Sequence, residues 1–209
     1  MTMTDEKIDQ PRRATRTGHR GPLVTARRGL VAGVVIVVLL AVAGWAVARH
    51  HGAVGAAPYR DPAAVGALTL CHNGSAVTSG STTDRPFVTT VVSSQAATGG
   101  LATGTTATLY AYQPRQGVGP ESWSGLQLGA ASSVTDVKAP GAMLTGTDTT
   151  LAQFVNAYPA QDGGWVQLRV VLGAPGQAPQ TSSYAALDLH IHGSTWTAAD
   201  PGTATCPSS

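Results

Sequence analysis

Residues Gly29 to Ala48 read GLVAGVVIVVLLAVAGWAVA, an unbroken apolar run without a charge, an amide side chain or a proline. As a helix rising about 1.5 Å per residue, such a run is roughly 30 Å long, the thickness of a bilayer's hydrocarbon core. The sequence therefore predicts a single transmembrane helix over 29–48, and every other residue falls to one side of it.

The flanking charges set the orientation. Residues 1–28 carry Lys7, Arg12, Arg13, Arg16, Arg20, Arg27 and Arg28 against Asp5, Glu6 and Asp9, a net charge of +4. Just beyond the run the cations thin out to Arg49 and Arg60. Flanks rich in Lys and Arg stay cytoplasmic, so the N-terminus is expected inside the plasma membrane and the C-terminal region outside it. Trp45 suits the outer interface, and Arg27 with Arg28 marks the inner edge. The run closes on Ala46-Val47-Ala48, a small-x-small pattern that signal peptidase accepts. Its apolar length, however, exceeds the roughly 7–15 residues of a cleaved signal's core, and we read an uncleaved signal anchor.

Four regions follow. Residues 1–28, with Pro11, Gly18, Gly21 and Pro22 and no apolar periodicity, read as a disordered basic cytoplasmic leader that serves as a topology signal. After the span at 29–48, residues 49–67 (RHHGAVGAAPYRDPAAVGA) read as an Ala/Gly/Pro-rich linker. Residues 68–209 are long enough for one buried core and form the expected extracytoplasmic domain. From Arg49 onward six Lys/Arg face eight Asp/Glu, a net charge of −2 that argues against nucleic acid as a partner. The partners implied are the lipid bilayer itself and an envelope protein or cell-wall component. Gly29-x-x-x-Gly33 and Gly44-x-x-x-Ala48 add a route to homo-oligomers through the membrane helix.

Within 68–209 the period-2 patterns outnumber the helical ones. Ala107, Leu109 and Ala111 alternate with Thr108, Tyr110 and Tyr112, while Val166, Leu168, Val170 and Leu172 alternate with Gln167 and Arg169. Further strands are expected over 87–92, 184–192 and 195–198, separated by Gly- and Pro-rich turns. The pattern predicts a mainly β domain, an antiparallel β-sandwich behind the single transmembrane helix. One segment is helical in period: Leu151, Phe154, Val155 and Tyr158 share a face, with Asp148 as the expected cap and Pro159 as the stop. The closing pattern of Tyr184 to Ile191, Gly193, Trp196 and Asp200 resembles the final hairpin of cystatin-like or NTF2-like domains, which implies an α+β alternative.

Cys71 and Cys206, the only two cysteines, frame the domain. In an exported segment they predict one disulfide, joining the first and last strands. Thr69-Leu70-Cys71 resembles the cysteine strand of sortases, but that family's histidine lies upstream within the domain, and here only linker His50 and His51 precede Cys71. Asp188, His190 and His192 share one strand face at metal-ligand spacing, with His72 as a candidate further ligand. With Leu187, Leu189 and Ile191 facing the core, the same alternation makes this trio a solvated face, and no metal, cofactor or catalytic residue is assigned. No nucleophile elbow, Ser-x-x-Lys or His-Glu-x-x-His pattern occurs, and Asn73-Gly74-Ser75 matches a glycosylation acceptor. The paucity of lysine beside arginine, with abundant Ala, Gly, Thr and Pro, resembles exported proteins of GC-rich actinobacteria. The expectation is a non-enzymatic accessory component of a bacterial cell envelope. The alternatives are an extracytoplasmic sensor or carrier of a small ligand or metal, and an envelope enzyme without a recognised motif.

Overall fold

A computed structural model of the chain describes residues 54–97 and 105–208. The expected leader, the expected span over 29–48 and the start of the linker lie outside the described residues. Among the described residues no helix is long and apolar enough to cross a membrane.

The domain is mainly β. Its strands are β1 (Ala64–His72), β2 (Ser75–Ala76), β3 (Ser79–Ser81), β4 (Thr90–Ser93), β5 (Thr106–Gln113) and β6 (Ser124–Gln127). They continue with β7 (Ser132–Ser133), β8 (Gly141–Met143), β9 (Trp165–Gly173), β10 (Gln180–His192) and β11 (Thr195–Ala199), and the helix α1 (Leu151–Ala157) lies between β8 and β9. The main path runs β6-β5-β9-β10-β1-β4-β8. All its ladders are antiparallel except one: β1 runs parallel to β10, with Ala64 opposite Tyr184 and Ala67 opposite Ala186. The sheet is therefore mixed, which corrects the expectation of a purely antiparallel one. Past Ala67, β1 leaves β10 and pairs with β4, so that Leu68 faces Ser93 and Cys71 faces Thr90. The edge of β10 that β1 vacates is taken by β11, from Asp188 opposite Ala199 to His192 opposite Thr195.

The alternations read from the sequence put the expected residues inside. Ala107, Leu109 and Ala111 of β5, Val166, Leu168 and Val170 of β9, and Leu187 and Leu189 of β10 are all buried in one core. Leu68, Leu70, Phe87, Val88, Val91 and Trp196 complete it, and the Phe87 and Trp196 rings meet edge-on at 6.1 Å between centroids. Gly80 of β3 packs against the Trp196 indole, where a Cβ would sit 2.9 Å from the ring. The expected strand over 87–92 is shorter than predicted, since Phe87 and Val88 reach the core from irregular chain before β4 begins.

Helix α1 buries Leu151 and Phe154 against the same core. Its N-cap is Thr150 and not Asp148: the Thr150 hydroxyl accepts from the Gln153 N–H at 3.1 Å, and the Gln153 side chain accepts from the Thr150 N–H at 2.9 Å. This reciprocal capping box satisfies two otherwise orphaned donors. Asp148 instead closes the preceding turn, accepting from Thr145 N at 2.6 Å. Asn73 and Gly74, both at positive φ, form the two-residue turn between β1 and β2, the geometry that favours Asn-Gly in tight hairpins.

Cys71 and Cys206 form the predicted disulfide, with Cα atoms 5.7 Å apart. It does not join the first strand to the last. Cys206 belongs to the tail beyond β11, which turns back over β1 so that Gly202 N donates to Leu68 O and Ala204 N donates to Thr69 Oγ1, each at 2.9 Å. A Cβ on Gly202 would lie 2.9 Å from Thr69 Oγ1, so glycine is what lets the tail approach this closely.

Candidate functional site

Strand register assembles the site. Tyr112 of β5, Gln167 of β9 and Asp188 of β10 are direct cross-strand neighbours, and Tyr110, Arg169 and Ala186 form the next row. Directly opposed residues share a face, so this is the face of the sheet turned away from Val166, Leu168 and Leu187. By alternation alone it should be wet. Instead Gln167 and Arg169 are 2 % and 4 % exposed, because the segment Pro58–Ala63 crosses over them.

That segment falls within the stretch read as a linker over 49–67. In the structure β1 already begins at Ala64, and Tyr59 and Asp61 are bonded into the sheet, so the described part of the supposed linker belongs to the domain. Asp61 is the centre of the attachment. One carboxylate oxygen accepts from Ala63 N at 3.0 Å, while the other accepts from the Tyr184 hydroxyl at 2.8 Å and pairs with Arg169 Nη2 at 3.3 Å. The Tyr59 hydroxyl donates to Asp188 Oδ1 at 2.7 Å, and the Tyr59 ring meets Trp123 edge-on at 4.9 Å.

Arg169 is held on every side. Its Nε donates to Gln167 Oε1 at 2.7 Å and its Nη2 to Pro120 O at 3.1 Å. The guanidinium lies 4.0 Å from the Tyr112 ring centre, 4.5 Å from that of Tyr184 and 5.2 Å from that of Trp123. Gln167 passes the network on, donating to Asp188 Oδ1 at 3.2 Å. A buried guanidinium is tolerated only where a counter-charge and hydrogen-bond acceptors surround it, and this one has both.

Burial shifts the titrations. The Tyr59 hydroxyl is raised well above its usual range, first by desolvation and then by the charge and hydrogen bond of Asp188. The Tyr184 hydroxyl is raised too, by desolvation and by its bond to Asp61. The Asp188 carboxyl is pushed up by desolvation, against the pull of the hydrogen bonds from Tyr59 and Gln167. In each case desolvation, the largest cause, favours the neutral form.

Tyr59 and Arg60 line two clefts. One, of about 500 Å³, is walled by alanines and by Asp61, Asp188 and Asp200. The other, of about 720 Å³, is bounded by Pro58, Arg115, Pro120, Trp123 and Asp162.

The polar trio of β10 is not brought together as a metal centre. Asp188 is engaged by Tyr59 and Gln167, so it is not the solvated residue the alternation suggested. His190 Nε2 shares a 2.9 Å hydrogen bond with Gly163 O and its ring lies 5.1 Å from that of Trp165, while His192 is exposed. Among the described residues no group of three or more His, Cys, Asp and Glu is placed to hold a metal ion, and His72 joins none. Cys71 is consumed in the disulfide. Reading by sequence missed Tyr59, Asp61 and the burial of Arg169. The signal available was Pro58-Tyr59-Arg60-Asp61-Pro62, an aromatic and two charges set in Ala/Gly-rich chain. Compared with known proteins, the chain matches no family model, no curated protein and no solved structure.

Proposed function

We propose that the chain is a single-pass membrane protein whose disulfide-bonded, sandwich-like β domain lies outside the plasma membrane and binds another component of a bacterial cell envelope, without a catalytic role. The observation that carries this reading is the Cys71–Cys206 disulfide behind an apolar run of membrane-spanning length. Disulfides persist where the compartment is oxidising, which is the side of the membrane to which the arginine bias independently assigns the domain. Binding is favoured over catalysis because the one concentrated polar network among the described residues satisfies itself: Arg169, Asp61, Gln167, Asp188, Tyr59 and Tyr184 are partners of one another.

An epitope after Ser209 should be reached by antibody on intact cells and one before Thr2 should not, with the full-length chain in the membrane fraction. A mature N-terminus at Arg49 would sink the anchor. The binding role is tested by photo-cross-linking from exposed apolar positions, Val65 and Met143, which should give discrete adducts with an envelope component. Absence of any adduct from these and other exposed positions would count against it. The second reading, a sensor of a small ligand, rests on the cleft of about 500 Å³ beside Asp188. It predicts that Asp188→Asn abolishes ligand-induced stabilisation while leaving the cross-links intact.

A further inference from the structure

Two of the five Lys/Arg side chains among the described residues, Arg60 and Arg115, line the same cleft of about 720 Å³. Neither is in an ion pair, since the single ion pair among the described residues is Arg169–Asp61. Arg60 is exposed, but its backbone is fixed by the anchors on either side, Tyr59 on Asp188 and Asp61 on Arg169. Arg115 lies at the root of the turn that Val118 N closes onto Arg115 O at 3.1 Å. Its Nη2 donates to Ser122 O at 2.6 Å, while its Nε is buried without any partner. Two other buried side-chain atoms among the described residues lack a partner, and both belong to neutral groups, Thr105 and Trp196. A buried donor left unpaired is costly, more so on a charged group, and the cost is relieved when the guanidinium turns toward an acceptor. The walls are apolar: Pro58, Pro120 and the edge of Trp123, whose own N–H is spent on Val118 O at 2.9 Å.

We propose that this cleft binds a carboxylate carried by an extended acidic peptide segment of a partner, the side chain of a Glu or Asp seated between Arg60 and Arg115. The proposal rests on the reading of the domain as a binding module and names the chemistry of what it binds. A carboxylate matches the Nε–H and Nη2 edge of an arginine, which Arg115 offers once its guanidinium turns from Ser122 O toward the cleft, and charge-assisted bonds of this kind are the strong ones. A peptide is favoured over a sugar because, immediately beside the cleft, the protein already holds a stretch of its own chain in this way, with Asp61 on Arg169 and Tyr59 against Trp123.

The test uses the full chain in lipid nanodiscs, titrated calorimetrically with acetyl-Gly-Glu-Gly-Glu-Gly-amide, with its Gln counterpart and with glucuronate. The Glu peptide should bind, and the Gln peptide about tenfold more weakly or not at all. Arg60→Gln, a substitution on an exposed side chain, should weaken the Glu peptide several-fold. Arg115→Lys, which keeps the charge and loses Nε–H, should weaken it about tenfold. Equal binding of the two peptides, tighter binding of glucuronate, indifference to both substitutions, or no binding at all would each overturn the proposal. Cross-links from Val65 and Met143 that persist in the Arg60→Gln, Arg115→Lys double variant, together with a failed titration, would leave the binding module standing and remove only the cleft.

Discussion

The two faces of β9 follow the same alternation as those of β10 and are both buried, yet by different physics. On one face Val166, Leu168, Val170, Leu187 and Leu189 are driven inward by their own apolar surface. On the other, Gln167 and Arg169 are buried because a distant segment, Pro58–Ala63, supplies the charge and the aromatic ring that make their burial tolerable. The apolar face needs only neighbours of about the right volume. The polar face needs particular atoms, and removing one strands the others.

That contrast is broken most severely at Asp61. Asp61→Ala leaves the Arg169 charge buried and unpaired, which should cost about 3–5 kcal/mol. Leu168→Ala on the apolar face should cost about 2–5 kcal/mol from lost transfer energy and the residual cavity. The distinguishing experiment is rescue. Asp61→Leu combined with Arg169→Met should recover part of the loss, since it removes the unpaired buried charge while leaving the Tyr184 hydroxyl and Gln167 Oε1 without their partners. No second substitution opposite Leu168→Ala recovers its loss by removing a charge. Equilibrium urea unfolding of the parent and the three variants would settle the comparison, and a double variant as unstable as Asp61→Ala would show that the pair itself stabilises the fold.

The disulfide comes next. Closing a loop that spans almost the whole domain should contribute about 2–4 kcal/mol, and Cys206→Ser should lose it by destabilising only relative to a less constrained unfolded chain. Because Cys206 lies in a tail held to β1 by two further hydrogen bonds, hydrogen exchange in this variant should rise first at Gly202 and Ala204, leaving the β9 and β10 amides at the global rate. Uniform acceleration would mean that the tail is part of the core's cooperative unit.

What was legible in the sequence divides along the same line. The alternation in β5, β9 and β10 identified the apolar core residue by residue, because burial of Leu168 or Leu109 is a local statement about period 2. The capping of α1 was misread by two positions, since Asp148 and Thr150 are both competent caps and only the turn made with Thr145 decides between them. The parallel β1–β10 ladder and the polar face were not legible. They depend on Tyr59 and Asp61 meeting Asp188 and Tyr184 across more than a hundred residues, within a stretch whose Ala, Gly and Pro content reads as a spacer.

The polar face also makes stability sensitive to pH in one direction. Asp188, Tyr59 and Tyr184 all bind their protons more tightly folded than unfolded. The native state then holds more protons than the unfolded state across each window, so stability falls as pH rises. For Asp188 the loss begins at the ordinary carboxylate range, about pH 4, and is complete above its raised folded value. For the tyrosines it begins near pH 10. Tyr59→Phe should cost about 0.5–1.5 kcal/mol at neutral pH and flatten part of the alkaline decline, while Asp188→Asn should flatten the acidic portion. A melting profile that rises with pH through either window would contradict the sign.

The smallest effects are expected where β10 leaves the network. His192 is exposed and makes no side-chain hydrogen bond among the described residues, so His192→Ala should lie within about 0.5 kcal/mol of the parent. His190→Ala loses the bond to Gly163 O and the contact with Trp165 and should cost about 1 kcal/mol. Neither substitution should alter the response to zinc, because Asp188, the third member of the spacing, is turned into the bonds from Tyr59 and Gln167. If the two histidines formed a site with a ligand folding in from elsewhere, added Zn²⁺ would raise the melting temperature with the logarithm of its concentration, and the double variant would lose that rise. A flat response in both proteins is the expected result. It would place the boundary of the polar face at Asp188, the last residue on β10 that Tyr59 reaches, and leave His190 and His192 as the solvated end of the strand.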